Sequence, residues 1–170
     1  KIAKFLYDNY IDYDIVPADY LEKFKFENNK AIINHAEYSV IVVPNKKYLT
    51  ANSIAVLNKA IQCGVKVVSL SNIIAIDSDE RLCQDAIITD YNNLPEAVKE
   101  ARELTVNGTA QYLRFNHYIK DGRNIYMFTN ESVNITADAD ISIEGFSTKG
   151  YTVYDVLENQ AYKGSGTIHI

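Results

Sequence analysis

The sequence predicts an α/β protein in which a parallel sheet with flanking helices is followed by a small antiparallel β-sandwich. Over roughly the first hundred residues, short apolar runs alternate with segments of helical period. From about Thr105 the hydrophobic period changes to two, and short turn signals separate successive runs. This change places the predicted boundary near 105–110, and we assign the two predicted domains to residues 1–107 and 108–170.

The first strand of the α/β half is predicted in "YDIVP", and Pro17 begins the helix predicted for "PADYLEKF". A short strand follows at Ala31–Ile33. The next run, Val40–Val43, is β-branched and lacks polar alternation, which is typical of a strand buried on both faces of a parallel sheet. Pro44 ends this run.

The next helix is predicted over "TANSIAVLNKAIQCG", with Thr50 as its N-terminal cap and Gly64 as its C-terminal cap. The strand "VKVVSL" follows, and we expect Val65–Leu70 to lie beside Val40–Val43, both buried. This strand–helix–strand order implies a right-handed parallel crossover. A further helix is predicted in "NLPEAVKEARELT", with Asn93 as its cap.

The second half begins with a hairpin in which residues 112–119 pair with residues 124–131 across the turn Asp121-Gly122. The more aliphatic face of the hairpin, with Leu113 and Phe115, is expected to turn towards the core. Further strands are predicted in "ITADADISIEGF", "YTVYDVL" and "GSGTIHI". Strands joined by short turns in this way favour an antiparallel sandwich.

The candidate site residues lie on this hairpin: Tyr112, Arg114, His117 and Tyr118. Arg114 is expected at the junction of the two predicted domains, because a guanidinium group can bind carbonyls or carboxylates across it. The alternative is a sugar-binding face, since tyrosine rings can stack on sugars. His117 could serve either a structural contact or a ligand. The aromatic residues considered for stacking are Tyr112, Phe115, Tyr118, Tyr126 and Tyr151.

The sequence predicts no catalytic residue, no cofactor and no metal site. The apolar runs are not followed by a glycine-rich dinucleotide or phosphate loop. Cys63 falls in the last turn of a helix, where the helix dipole does not activate a thiol. Cys83 is expected in a helix and half-buried. Two cysteines without histidines at ligand spacing do not make a zinc site, and their redox state stays open.

Composition and charge restrict the class of protein and the partners that it can bind. A hydrophobic fraction of 47% over 170 residues is enough for a packed core. The net charge of −5, with Lys46-Lys47 as the longest basic run, argues against a nucleic-acid surface. No apolar run approaches the roughly 20 residues that span a bilayer. The chain begins at Lys1, in what reads as the middle of a helix, so we expect a fragment of a larger protein.

The order of these segments resembles a known family. "YIDYDIVPADYL", "NHAEYSVIVVPNKKYLT" and "LNKAIQCGVKVVSL" resemble the non-catalytic α/β domain that follows the barrel in large bacterial glycoside hydrolases of the α-L-rhamnosidase-like and family 2-like groups. That flavodoxin-like domain is similar to class I glutamine amidotransferases, without their cysteine nucleophile. "YLRFNHYIKDGRNIYMFTNES" and "YDVLENQAYK" resemble the segments that come next, with Tyr154 where such enzymes often carry tryptophan.

The resemblance implies an accessory C-terminal region that supports or oligomerises a catalytic barrel outside this sequence. The family's catalytic carboxylates belong to that barrel, so none is carried over. The implied partners are the rest of the parent glycosidase chain and carbohydrate, with homo-oligomerisation left open. The implied source is a bacterium, and the chain could be cytoplasmic or secreted. The alternatives are a stand-alone carbohydrate-binding module and an amidotransferase-like hydrolase, although the latter needs a strained nucleophile that the sequence does not offer.

Overall fold

The computed structural model describes residues 2–144 and 150–170. These residues form two compact units, the first containing residues 2–3 and 13–101 and the second containing residues 4–12 and 102–170. The division at residues 107 and 108 that the sequence suggested stays a prediction.

The helices are α1 (Ile2–Asp8), α2 (Ala51–Gln62) and α3 (Leu94–Ala97), with 3₁₀ turns at Ala18–Lys23 and Lys99–Ala101. The strands are, in chain order, β1 (Lys25–Glu27), β2 (Lys30–Ile33), β3 (Ala36–Tyr38), β4 (Val40–Val43), β5 (Tyr48–Leu49), β6 (Lys66–Ser69), β7 (Ile74–Ala75), β8 (Ile87–Ile88), β9 (Leu104–Thr109), β10 (Leu113–Lys120), β11 (Arg123–Asn130), β12 (Asp138–Ile143), β13 (Tyr151–Asp155), β14 (Gln160–Gly164) and β15 (Ile168–His169). None of the described helices is long and apolar enough to cross a membrane.

The first unit contains the predicted parallel sheet, with strand order β4-β6-β8. Strands β4 and β6 are adjacent and parallel, with Val40 opposite Lys66, as predicted. Strand β6 is buried from Val67 to Ser69. The prediction that β4 is equally buried is wrong, because β4 is the edge strand of this sheet and only Val43 is fully buried.

Helix α2 forms as predicted because its ends carry the expected caps. The Ser53 N–H donates to Thr50 Oγ1 at 3.2 Å, and Gly64 adopts a φ of 79°, a value that glycine takes without steric cost. The apolar side of the helix, with Ile54 and Leu57, is buried in the core of this unit together with Val67.

Two predicted elements near the start of this unit differ in the structure. Residues 11–17 contain no strand, and residues 18–23 form a 3₁₀ turn in place of the predicted helix. Strands β1, β2 and β3 form an antiparallel meander, so the strand predicted at residues 31–33 does not belong to the parallel sheet. The flavodoxin-like arrangement is therefore not confirmed.

The helix predicted after residue 93 is shorter than expected. The Ala101 N–H donates to the Val98 carbonyl, an i to i−3 bond that tightens the chain into a 3₁₀ turn. Asn93 is the N-cap residue of this helix, as predicted, but its side chain makes no capping hydrogen bond, and its own N–H donates to Asp90 Oδ1. Cys83 is not helical either, since its N–H is held at 2.7 Å by Asn58 Oδ1.

The second unit is antiparallel throughout its described strands. It contains the sheet β15-β12-β9 and the hairpins β10-β11 and β13-β14, so the strands predicted in the second half are confirmed where they are described. Gly145 and Phe146, the last residues of one predicted strand, lie outside the described residues. One apolar core joins β9, β10 and β12, and its buried members are Leu104, Ala110, Leu113, Phe115, Ala139, Ile141 and Ile143.

The β10-β11 hairpin has the predicted register, from Leu113 opposite Asn130 to Lys120 opposite Arg123. Its turn residues Asp121 and Gly122 both have positive φ angles, 52° and 70°. Two consecutive left-handed residues make the type I′ turn that matches the twist of antiparallel strands. The prediction of a hairpin across Asp121-Gly122 is confirmed.

Candidate functional site

The inner face of the β10-β11 hairpin is aromatic. Phe115 is buried, and its ring centroid lies 6.4 Å from those of both Tyr126 and Phe128. Because Phe128 and Tyr126 lie opposite Phe115 and His117, the aliphatic residues Ile125 and Met127 of β11 point outwards. The expectation that the more aliphatic face turns inwards therefore holds for β10 and is wrong for β11.

Arg114 is the centre of a charged cluster in the second unit, and its side chain is only 10% exposed. Its Nε lies 3.0 Å from Glu131 Oε2, and its Nη1 donates to the backbone carbonyls of Gln111 at 3.2 Å and Leu113 at 2.9 Å. Helix α1 covers the group from the other side. Asp8 Oδ1 lies 3.6 Å from Nη2, and the guanidinium carbon is 4.8 Å from the centre of the Tyr7 ring.

The partners of Arg114 explain why its charged side chain is tolerated in a buried position. A buried guanidinium group needs both charge partners and hydrogen-bond acceptors, and residues of the same compact unit supply them. The cluster uses the planar fork that distinguishes arginine from lysine. The roles predicted for Arg114, at a domain junction or on a sugar, stay predictions.

His117 belongs to a second polar group on the inner face. Its ring stacks on Tyr126 at 4.3 Å with an interplanar angle of 3°. Its Nδ1 lies 2.8 Å from Glu103 Oε2, and its Nε2 lies 2.9 Å from Asn124 Oδ1. Both ring nitrogens are thus engaged with neighbouring side chains, which locks the orientation of the imidazole.

Tyr126 shares the same carboxylate. Its hydroxyl donates to Glu103 Oε2 at 3.4 Å. Burial of the ring, followed by the negative charge of Glu103, raises the pKa of Tyr126 to about 12. The phenol stays protonated at neutral pH and donates to the Glu103 carboxylate, which also contacts the imidazole of His117.

The two remaining site residues, Tyr112 and Tyr118, are exposed, Tyr118 to 54%. Tyr118 lies opposite Ile125 on the outer face. Of the other aromatic residues considered for stacking, Phe115 is buried, and Tyr151 covers Gly164 while its hydroxyl donates to the Thr167 carbonyl at 3.0 Å. The five aromatic residues therefore do not form one exposed row.

The sequence reasoning missed Glu103 and Tyr126 as partners of His117. The signal for Tyr126 was available, because a two-residue turn at Asp121-Gly122 places Tyr126 opposite His117. Glu103 comes from the residues before β9, and no local pattern indicates its approach. Among the described residues, no group of three or more His, Cys, Asp or Glu side chains could hold a metal ion. Cys63 and Cys83 are free thiols.

A cavity of about 270 Å³ in the first unit was also not foreseen. It runs along strand β4, and its walls are mainly apolar, with Leu21, Phe24 and Leu57 among them. Lys46 and Asp14 are among its polar lining residues. The Tyr38 hydroxyl donates to Asp14 Oδ2 at 2.5 Å.

No protein-family model matches the sequence, and no curated protein matches it either. A solved structure is similar in fold: the apo exo-carrageenase GH42 from Bacteroides ovatus, with a TM-score of 0.60 and 15% sequence identity. The match covers 99% of this chain and 24% of that chain, so this chain spans about a quarter of its length. At this level of identity the likeness shows the fold alone.

Proposed function

We propose that this chain is a non-catalytic accessory region of a glycoside hydrolase, and that its partner is the catalytic remainder of the same polypeptide. The observation that carries the proposal is the fold match to the exo-carrageenase, which includes almost all of this chain and only about a quarter of that enzyme. In this proposal the accessory region stabilises the catalytic remainder of the polypeptide or holds copies of it together in an oligomer.

The contacts of the candidate site support a structural role. Glu131 and two backbone carbonyls hold Arg114, while Glu103 and Asn124 engage both nitrogens of His117. A catalytic acid or base must instead reach a bound substrate. These groups satisfy one another, which is the pattern of a polar network that orders a fold.

The finer assignment is part of the same proposal. Residues 1–107 correspond to an amidotransferase-like domain, and residues 108–170 to a β-sandwich at the C-terminal side of the catalytic part. The apolar parallel pair β4 and β6, joined through α2, supports the first domain. The antiparallel pairs β10-β11, β12-β15 and β13-β14 support the second.

The proposal is tested by assaying the isolated 170-residue chain against carrageenan and against aryl rhamnosides, galactosides and glucosides. We expect a chain that unfolds cooperatively and hydrolyses none of them. Turnover that survives repurification and disappears when one carboxylate of this chain is replaced would show that the chain has its own active site.

A second candidate function is carbohydrate binding by the outer face of the β10-β11 hairpin, and the exposure of Tyr118 favours it. Tyrosine rings stack on sugars when they are exposed in this way. If this function is real, Tyr118→Ala abolishes binding on a glycan array without changing stability. Retention of all glycan binding by this variant would remove the hairpin from consideration.

A further inference from the structure

The cavity of the first unit extends along strand β4 to the carboxyl end of that strand. Residues Val40–Val43 line it, and so do Pro44 and Lys46, which follow the strand in the chain. In open parallel sheets, ligands bind outside the carboxyl ends of the strands. The cavity volume of about 270 Å³ is just below the range of small-molecule pockets, about 300–1,000 Å³. Its place and size therefore suit a small ligand.

The walls of the cavity suit an aromatic ring. Leu57, which is buried in the core of the unit, is a lining residue. Phe24 and Tyr38 also line the cavity, and their ring centroids lie 6.0 Å apart with an interplanar angle of 66°. Aromatic rings prefer this edge-to-face geometry, and a ring in the cavity extends it. In proportion to the roughly 150 Å³ cavity that binds benzene, the cavity holds about ten non-hydrogen atoms.

The two charged residues that line the cavity differ in their partners. The carboxylate of Asp14 is already engaged, because it accepts a hydrogen bond from the Tyr38 hydroxyl at 2.5 Å. In contrast, none of the described carboxylates forms a salt bridge with Lys46. A carboxylate on a ligand would satisfy this ammonium group with a charge-assisted hydrogen bond. The charge that the cavity leaves unmatched therefore favours an anion.

Hydrogen bonds hold the backbone of Lys46 beside the cavity. The Ser71 hydroxyl donates to the Lys46 carbonyl at 2.5 Å. The hydroxyl of Ser69, which is fully buried at the end of β6, donates to the Ser71 carbonyl at 2.7 Å. These bonds tie the loop after β4 to the loop after β6, so Lys46 starts from a fixed position.

We propose that this cavity binds a small aromatic carboxylate of about ten non-hydrogen atoms. The ring of the ligand packs against Phe24 and Leu57, and its carboxylate pairs with the ammonium group of Lys46. An uncharged ligand of the same shape lacks the ion pair, and a cationic ligand is repelled by Lys46. The inference concerns the first unit alone and does not depend on the proposed function.

Calorimetric titration and amide chemical-shift mapping of the 170-residue protein test the proposal. The probes are phenylacetate, its uncharged counterpart phenylacetamide and the cation phenethylammonium. The test variant is Lys46→Gln, and the matched control is Lys47→Gln. Lys47 is the next residue and is also exposed, but it does not line the cavity, and its ammonium group lies 5.2 Å from the centre of the Tyr48 ring. Because both lysines are exposed, neither substitution disturbs the core.

We expect phenylacetate to bind at a single site with a Kd of about 0.1–1 mM. Binding should shift the amide resonances of Val42, Val43 and Leu57 and leave that of Ile141, in the second unit, unchanged. Lys46→Gln should weaken binding at least about fivefold, as should the change from phenylacetate to phenylacetamide, whereas Lys47→Gln should change the Kd by less than about twofold.

Four results would overturn the proposal. The first is the absence of saturable binding of phenylacetate below about 10 mM. The second is a set of shifted resonances that lies outside the residues lining the cavity. The third is binding of phenylacetamide or phenethylammonium as tight as that of phenylacetate. The fourth is an equal loss of affinity in the Lys46 and Lys47 variants.

Discussion

Replacing Arg114 tests whether the charged cluster of the second unit is structural. The variant Arg114→Ala removes two hydrogen bonds to backbone carbonyls, at 3.2 and 2.9 Å, and bonds from a charged donor contribute about 1.5–3 kcal/mol each. It also removes the contact with the Tyr7 ring, which is worth about 0.5–1 kcal/mol at a partly exposed site.

The carboxylate partners contribute less. The side chains of Glu131 and Asp8 are 51% and 37% exposed, so solvent screens them, and such pairs contribute about 0.2–1 kcal/mol. Because the alanine variant no longer has to desolvate a guanidinium group, the net loss is smaller than the sum of these terms. We expect a loss of about 2–4 kcal/mol in the free energy of unfolding.

Urea unfolding followed by near-ultraviolet circular dichroism measures this loss. At a slope of about 2 kcal/mol/M, the urea midpoint should fall by roughly 1–2 M. Arg123→Ala is the matched control, since Arg123 is an exposed arginine at the turn of the same hairpin, and it should change stability by less than about 0.5 kcal/mol. Arg114→Lys keeps the charge and loses the fork, so its midpoint should lie between those of the wild type and Arg114→Ala.

The structural interpretation is refuted if Arg114→Ala unfolds within about 0.5 kcal/mol of the wild type, as the control does. If that variant also loses a measurable affinity for sugars, the hairpin is a binding face.

Three further outcomes follow from individual residues. Gly108 has a φ of 125°, and a Cβ there would lie 2.4 Å from the Asp138 carbonyl oxygen. Gly108→Ala should therefore lower the free energy of unfolding in urea by more than about 2 kcal/mol, whereas Gly122→Ala, whose Cβ meets no atom, should lower it by about 1 kcal/mol. Equal losses in the two variants would contradict the clash at Gly108. A Cβ on Gly164 would lie 2.5 Å from the Tyr151 ring, so Gly164→Ala should lower the thermal midpoint more than Gly150→Ala, and Tyr151→Ala should remove most of that difference. The pKa of Tyr126 is raised to about 12, so the folded chain holds this proton more tightly than the unfolded chain. The free energy of unfolding should therefore fall as pH rises from about 10 to about 12. Tyr126→Phe should make this fall with pH less steep, and an unchanged fall would show that other groups cause it.

The sequence predicted best where the signals were local. Thr50 and Gly64 delimit α2 because a cap and a left-handed residue act within one turn. Asp121-Gly122 sets the register of the hairpin, because both residues accept positive φ angles. The pairing of β4 with β6 was visible in two runs rich in valine and isoleucine, Val40–Val43 and Val65–Leu70.

The sequence predicted poorly where distant residues decide the structure. The sequence placed Arg114 at a domain junction or on an outer face, but it could not name the partners Tyr7 and Asp8, which lie over a hundred residues earlier in helix α1. The contact of His117 with Glu103 likewise depends on tertiary packing. The edge position of β4 could not be read from its composition, because an apolar run looks the same at the edge and in the middle of a sheet.

We propose that this chain supports the catalytic part of a glycoside hydrolase without performing the chemistry itself. The most direct measurement is glycoside hydrolysis by the complete gene product that contains these residues, compared at equal molar concentration with the isolated chain. We predict hydrolysis by the complete product and none by the isolated chain. A complete product that hydrolyses no glycoside, or an isolated chain that accounts for all the activity, would contradict the claim.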